Sequence, residues 1–345
     1  SSRSGAEAVH TTLPDAVPVR AATVPVGFDP RRARVVVAVL AIAAVGLAAL
    51  FMTYDLKGSL SFALELRSRK LMALVLVGVA IAHSSVLFHT ITQNRILTPS
   101  LIGFDALYEL IQISAAWFLG TQAFVRIDVR MRFAFEVVVM LVFAFALHRV
   151  FFTRQSQDLF LAVLVGIVLG AMFTSLGSLV SRLIDPNEYI TLQDLLFANF
   201  SSVERDLLGV STVVVIAVVV ATIPLLRRLD VLALGTPTAT NLGVDHRRLI
   251  NLALVAVVVL VSVATALVGP MTFLGLLVSN LAYRLTGTFR HRYTLATAGL
   301  IAVVALVGGQ FLLERVFHST TRLSIIVSFI GGLYFIVLLF LEGDR

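Results

Sequence analysis

LLGVSTVVVIAVVVATIPLL (Leu207–Leu226) and INLALVAVVVLVSVATALVG (Ile250–Gly269) are two nearly unbroken aliphatic runs. Each has the roughly 20 residues that a helix needs to cross the hydrocarbon core of a bilayer. Between them lies VLALGTPTATNLGVDHRRL (Val231–Leu249), small, polar and punctuated by glycine and proline. Two spans joined by a short structured segment set the reading for the whole chain: an all-α, polytopic membrane protein.

Composition agrees. The chain has 345 residues, 58% hydrophobic and 14% charged, whereas a soluble domain is about half apolar and a quarter charged. Further apolar runs give ten candidate spans, near 34–53, 70–91, 103–120, 131–152, 159–182, 207–226, 247–268, 271–285, 292–314 and 323–341. The third carries Asp105 and Glu109 at its start, and the eighth is short. Residues 1–30 hold no apolar block, so they read as a disordered tail rather than a span or a signal peptide. Residues 31–345 read as one transmembrane domain.

An even number of spans puts both termini on one side. Arg31, Arg32, Arg34, Arg227, Arg228, Arg247 and Arg248 flank the spans closely on the side of the N-terminus, which favours that side as cytoplasmic. The formal charge of +7 sits in loops between spans. It therefore points to membrane orientation and not to nucleic acid.

Several chemistries are excluded. The chain has no cysteine, which removes disulfides, thiolate metal sites and cysteine nucleophiles. A P-loop needs Gly-Lys-Ser/Thr, but the only lysines are Lys57, followed by glycine, and Lys70, followed by leucine. His83 and His89 lie about 120° apart around a helix, so they make no ligand pair. No HExxH, nucleophile elbow or paired-carboxylate motif appears. No catalytic residue, metal site or cofactor of its own is expected.

Three stretches carry more information. AHSSVLFHTITQ (82–93) ends the second run with His83, Ser84, Ser85 and His89. Such groups avoid lipid, so they either bond neighbouring helices or face a translocation path. VGPMTF (268–273) stops one helix at Gly269-Pro270 before a short run, a pattern tolerated at membrane depth only beside protein or a cavity. In LALGTPTATNLGV (232–244), Thr236 reads as an N-cap, Pro237 as the first helical residue and Gly243 as the C-terminal stop. That helix is too short to stand alone in water, so it docks on something.

Taken in order, ELRSRKLMALVLVGVAIA (65–82), NRILTPSLIGF (94–104), LALGTPTATNLGVDHRRL (232–249) and ALVGPMTFLGLLVSNLAYRLTG (266–287) resemble the FecCD-type permeases. These are membrane subunits of ABC importers for iron chelates, haem and vitamin B12. The resemblance runs from about residue 34 to 341. It implies a type II importer permease fold of about ten transmembrane helices, working as a dimer in the cytoplasmic membrane. Two cytoplasmic ATPases, which hold ATP and Mg, would drive it, and an extracytoplasmic binding protein would feed it. The resemblance also implies that the segment 231–243 contacts the ATPase, through Leu232, Leu234, Gly235, Thr236, Pro237, Ala239, Asn241, Leu242 and Gly243. Arg67, Lys70 and Arg315 fall where the family places basic residues that dock the binding protein.

The sequence departs from many members at NRILTP (94–99), at Thr236-Pro237 and at Ser279-Asn280. NRILTPSLIGFD (94–105) and SFIGGLYF (328–335) resemble the branch that serves catecholate-type siderophores, in which two non-identical permeases pair. A ferric siderophore is the implied cargo, with haem or vitamin B12 as alternatives. An ion-coupled secondary transporter is the competing class. It would need an intramembrane acid, for which Glu136 is the best candidate.

Overall fold

Polar side chains on an apolar helix decide the packing order. The computed structural model describes residues 30–55, 59–152, 159–201, 203–317 and 321–343. The chain first forms α1 (Pro30–Thr53), α2 (Leu60–Thr92), α3 (Phe104–Leu119), α4 (Thr121–Arg126), α5 (Val129–Phe152), α6 (Leu159–Ser181) and α7 (Pro186–Leu196). It continues through α8 (Arg205–Thr222), α9 (Leu226–Leu232), α10 (Thr236–Asn241), α11 (His246–Val268), α12 (Leu274–Thr286), α13 (His291–Phe311) and α14 (Leu323–Gly343). Short 3-10 turns precede α3 and α9, and a π-helical turn, Leu312–Val316, follows α13. The expected tail lies outside the described residues except for Pro30, as do Lys57, Arg154 and the last two residues.

His83, Ser84, Ser85, His89 and Thr90 all sit on α2, and in hydrocarbon such groups are costly. The fold withdraws them. α2 runs through the middle of the subunit, enclosed by α8, α11, α12 and α13. Its span is 78% buried, against 11% for α1, so α2 is the axis and α1 an outer helix. Outward-facing Val39, Ile42, Val138, Val142, Val213, Ile216 and Phe329 are exposed. An apolar surface of this extent on many helices is what lipid covers.

Glycines allow the closest approaches. Gly103 has φ +99° and ends the 3-10 turn that Pro99 begins. A Cβ there would come within 2.7 Å of the Gly170 Cα, and one on Gly166 within 1.9 Å of Ile102 Cγ2. The broken segment before α3 is thereby seated on α6, by the small-residue packing common between membrane helices. Gly269, at φ +105°, ends α11 as its Gly-Pro pair implied, and Val268 O accepts a hydrogen bond from Asn199 N at 2.7 Å.

All ten candidate spans are helical: α1, α2, α3, α5, α6, α8, α11, α12, α13 and α14. Six described helical stretches are long and apolar enough to cross a membrane, and α3 and α12 are shorter. The start of α2 corrects the expected boundary. The helix begins at Leu60, not near 70. Arg67, Arg69 and Lys70 are therefore helical residues and not loop charges.

Candidate functional site: the segment between α8 and α11

α9 follows α8 through a single 3-10 turn and presents Arg227 and Arg228 to solvent, while Leu229 and Leu232 are buried. The chain turns at Leu234 and Gly235, whose N–H groups donate to Val231 O at 3.1 Å and Leu232 O at 3.0 Å. Gly235 then caps α10 with φ +102°. The cap is therefore Gly235 and not Thr236, because the turn needs a left-handed φ that glycine adopts without strain. Thr236 becomes the first helical residue, and Pro237 the second, where no intrahelical N–H is required.

The other end matches the expectation for Gly243. Gly243 N donates to Thr240 O and Val244 N to Ala239 O, both at 3.0 Å, with Gly243 at φ +76°. This is the paired hydrogen-bond pattern of a Schellman stop. Val244 packs against the core cluster that includes Ala239.

Only part of the expected contact set is exposed. Leu232 and Ala239 are buried at 1% and 0%, in a core cluster with Leu229, Leu249 and Ala253. Both face the core of their own subunit. Leu234 and Leu242 are exposed at 64% and 61%, and Pro237, Thr238, Asn241 and Gly243 are exposed as well. The outward face is thus two leucines set among small and polar residues.

Behind it stands a polar network with no sequence motif. The carboxylate Oδ1 of Asp230 on α9 accepts the backbone N–H of His291 at 2.7 Å and lies 2.7 Å from its Nδ1. The other ring nitrogen of His291, Nε2, lies 2.7 Å from the Thr90 hydroxyl on α2. Gln93 Nε2 donates to Thr90 O at 2.7 Å and to Leu232 O at 3.0 Å. The segment before α10 is thus tied to the start of α13 and the end of α2. His291 has one cue in sequence, its position at the start of a span, and Gln93 closes the polar stretch 82–93; Asp230 has none.

His83, Ser84, Ser85 and His89, weighed as path-lining residues, are buried inside the subunit. His83 Nε2 lies 2.8 Å from Thr222 Oγ1 on α8, Ser84 donates to Ile81 O at 2.9 Å, and the His89 ring sits 6.1 Å from that of Tyr283. A Cβ on Gly275 would come within 2.0 Å of Ser85 Oγ. In the subunit His83, Ser85 and His89 pack α2 against α8 and α12, while Ser84 bonds within its own helix.

At the opposite end, Arg67 is turned into its own subunit. It is buried, and its guanidinium donates to Phe51 O, Met52 O, Tyr54 O and Asp55 O at 2.7–3.2 Å. Lys70 donates to Glu314 Oε1 at 2.6 Å, as does Gln310 Nε2. Arg315 lies 3.4 Å from Asp55. Beside this group a recess of about 670 Å³ is lined by Asn199, Ser201, Gln310, Glu314, Thr321 and Arg322. Glu136 is buried, accepts from Gln112 Nε2 at 2.7 Å and lies 3.6 Å from Arg132. Among the described residues no three His, Asp or Glu side chains converge as a metal site would require.

Comparison with known proteins gives a consistent result. Residues 48–340 match the FecCD transport family. The chain is 43% identical over 304 residues to the petrobactin import system permease protein YclO of Bacillus subtilis, covering 88% of this chain and 95% of that protein. It is 34% identical to FatC, a petrobactin import system permease protein of Bacillus anthracis, over 78% of this chain and 76% of that protein. FatD, a second permease protein of the same name and organism, is 24% identical over 73% of this chain and 74% of that protein. A metal-chelate type ABC transporter in an inward-facing conformation shares the fold, with a TM-score of 0.74 at 21% identity over 89% of this chain and 99% of that one.

Proposed function

This chain belongs to the FecCD transport family, and from that premise we propose that it is the permease subunit of an ABC importer for a ferric siderophore. The observation that carries the reading is the 43% identity to a petrobactin permease across 95% of that protein's length. Petrobactin-named relatives are in keeping with the resemblance to the catecholate branch. A ferric catecholate-type chelate, petrobactin first, is the proposed cargo.

In this reading the ten helices cross the cytoplasmic membrane with both termini inside. The open face of α10 sits in a cleft of a cytoplasmic ATPase, and two such ATPases bind and hydrolyse ATP with Mg. A lipid-anchored or soluble siderophore-binding protein docks on the opposite face. Lys70 and Arg315 lie at that rim as carboxylate-paired residues, and Arg67 braces the helix end beneath them. Such charge pairs steer and register a partner more than they supply affinity. FatC and FatD carry one system name, which supports a second, non-identical permease completing the dimer.

The chain's own chemistry is conformational. Closure of the ATPases displaces α10. Its ties through Asp230, His291 and Thr90 then carry that displacement to α13 and α2, biasing the dimer between inward- and outward-open states. Glu136 is already engaged by Gln112 and Arg132, so nothing in its surroundings favours ion coupling.

The test is uptake of ⁵⁵Fe-petrobactin into proteoliposomes holding this permease, its partner permease, the ATPase and the binding protein. ATP-dependent accumulation is expected. Accumulation driven by an ion gradient without ATP overturns the reading.

A further inference from the structure

A groove between α5 and α11 belongs to neither of the regions described so far. Its volume is about 660 Å³. Leu141 and Phe145 line one side, and Leu252, Val255 and Val259 line the other. Phe145, Leu252 and Val255 are exposed at 64%, 46% and 59%, so the groove opens outward. Its walls are apolar except at one end, where Asp245, Arg247 and Arg248 gather with Asn251. Asp245 already serves as the N-cap of α11, accepting the Arg248 N–H. Among the residues that line this end, two are cationic and one is anionic.

The length fits one leaflet. From residue 245 to 259 α11 rises about 21 Å. With its headgroup regions the bilayer is about 40–45 Å thick, hence about 20–22 Å per leaflet. The groove therefore starts at the charged boundary, descends through one leaflet and stops near the bilayer centre. A cationic mouth above an apolar channel of that depth is complementary to an amphiphile with an anionic head. Basic pockets between transmembrane helices recognise lipid headgroups in this way.

We propose that this groove is a binding site for an anionic phospholipid of the leaflet on the α10 side. The phosphate sits against Arg247 and Arg248, and an acyl chain lies along Phe145, Leu252 and Val255. The site adjoins the coupling segment. His246 Nδ1, one residue before Arg247, lies 3.2 Å from Thr240 Oγ1 of α10. A bound lipid braces the joint between α10 and α11.

The experiment uses the full chain in detergent, with phosphatidylglycerol or phosphatidylcholine of identical acyl chains added. Retained lipid is counted by native mass spectrometry and melting temperature is recorded. Phosphatidylglycerol should be retained in preference and raise the melting temperature more. Near a membrane surface each basic residue is worth about 1 kcal/mol, or roughly fivefold in affinity. Arg247→Gln with Arg248→Gln should therefore cut the preference by on the order of tenfold or more. Leu252→Trp, which fills the channel and keeps both arginines, should also reduce retention. Equal retention of the two lipids by the wild type overturns the proposal, as does an undiminished preference in the double variant. Stabilisation by inorganic phosphate equal to that by phosphatidylglycerol would indicate a simple ion site. Release of bound lipid when the second permease is added would assign the groove to a protein interface. Either result also overturns the proposal.

Discussion

His291 meets the carboxylate of Asp230 twice, its backbone N–H and its Nδ1 both 2.7 Å from the same oxygen. The two residues lie on α13 and α9, and the far side of the imidazole reaches Thr90 on α2. A hydrogen bond to a charged group contributes about 1.5–3 kcal/mol net. Asp230→Ala removes both contacts and leaves a buried imidazole without its acceptor, so a loss of about 2–3 kcal/mol is expected, read as a lower melting temperature. Asp230→Asn keeps an acceptor oxygen and should cost less. In the reconstituted importer either change should lower siderophore transported per ATP hydrolysed. Equal falls in transport and hydrolysis would mean that the contact is structural only.

Arg67 invites a different substitution. The last carbonyls of a helix lack intrahelical partners, and here one guanidinium takes Phe51 O and Met52 O from α1 together with Tyr54 O and Asp55 O from the turn beyond. Arg67→Ala should destabilise the chain by about 3 kcal/mol. Arg67→Lys should recover little, since an ammonium lacks the planar fork that spans several acceptors. Arg315→Ala, which removes a partly exposed pair, should cost about 1 kcal/mol or less. Thermal unfolding of the three variants checks this. An unchanged melting temperature in Arg67→Ala, with binding-protein association lost, would restore Arg67 to the docking surface.

The seat of α3 on α6 depends on backbone meeting backbone. A Cβ on Gly170 would stand 2.9 Å from the Gly103 Cα, where no flexible side chain can yield. Gly170→Ala should therefore separate the helices and sharply reduce folded protein, measured by fluorescence-detected size exclusion. Gly209 in α8 has open space around its Cβ position. Gly209→Ala should be neutral or stabilising by up to about 1 kcal/mol, as expected when alanine replaces glycine in a helix.

What was legible in the sequence followed local rules. Apolar length pointed to ten of the fourteen described helices, Gly269-Pro270 marked the end of α11, and Gly243 the end of α10. What was not legible depended on distant partners. Arg67 and Lys70 read as loop charges because the carbonyls supplied by α1 and the carboxylate of Glu314 cannot be seen from α2's own sequence. Asp230 and His291 are 61 positions apart, so neither signals the other. A small residue such as Ala239 suits a partner's pocket and a tight internal contact equally well, and only the tertiary structure separates the two.

That ambiguity decides how the coupling segment should be tested. Ala239 is fully buried against its own subunit, while Leu234 and Leu242 stand outward at 64% and 61% exposure. A charge at Ala239 has no room and no partner, so Ala239→Glu should lower the melting temperature of the isolated permease. Any loss of ATPase binding would follow from that damage. Leu234→Glu and Leu242→Glu place the charge in solvent and should shift stability by no more than about 0.5 kcal/mol. If the open face enters an ATPase cleft, each also places an unpaired carboxylate in a desolvated contact, which costs at least 1–3 kcal/mol. Co-purification with the ATPase should then fall about fivefold or more while the melting temperature holds. The two measurements, made on the same three variants, separate the faces. Normal ATPase binding by both leucine variants would remove α10 from the interface and leave it as a brace between α9 and α11.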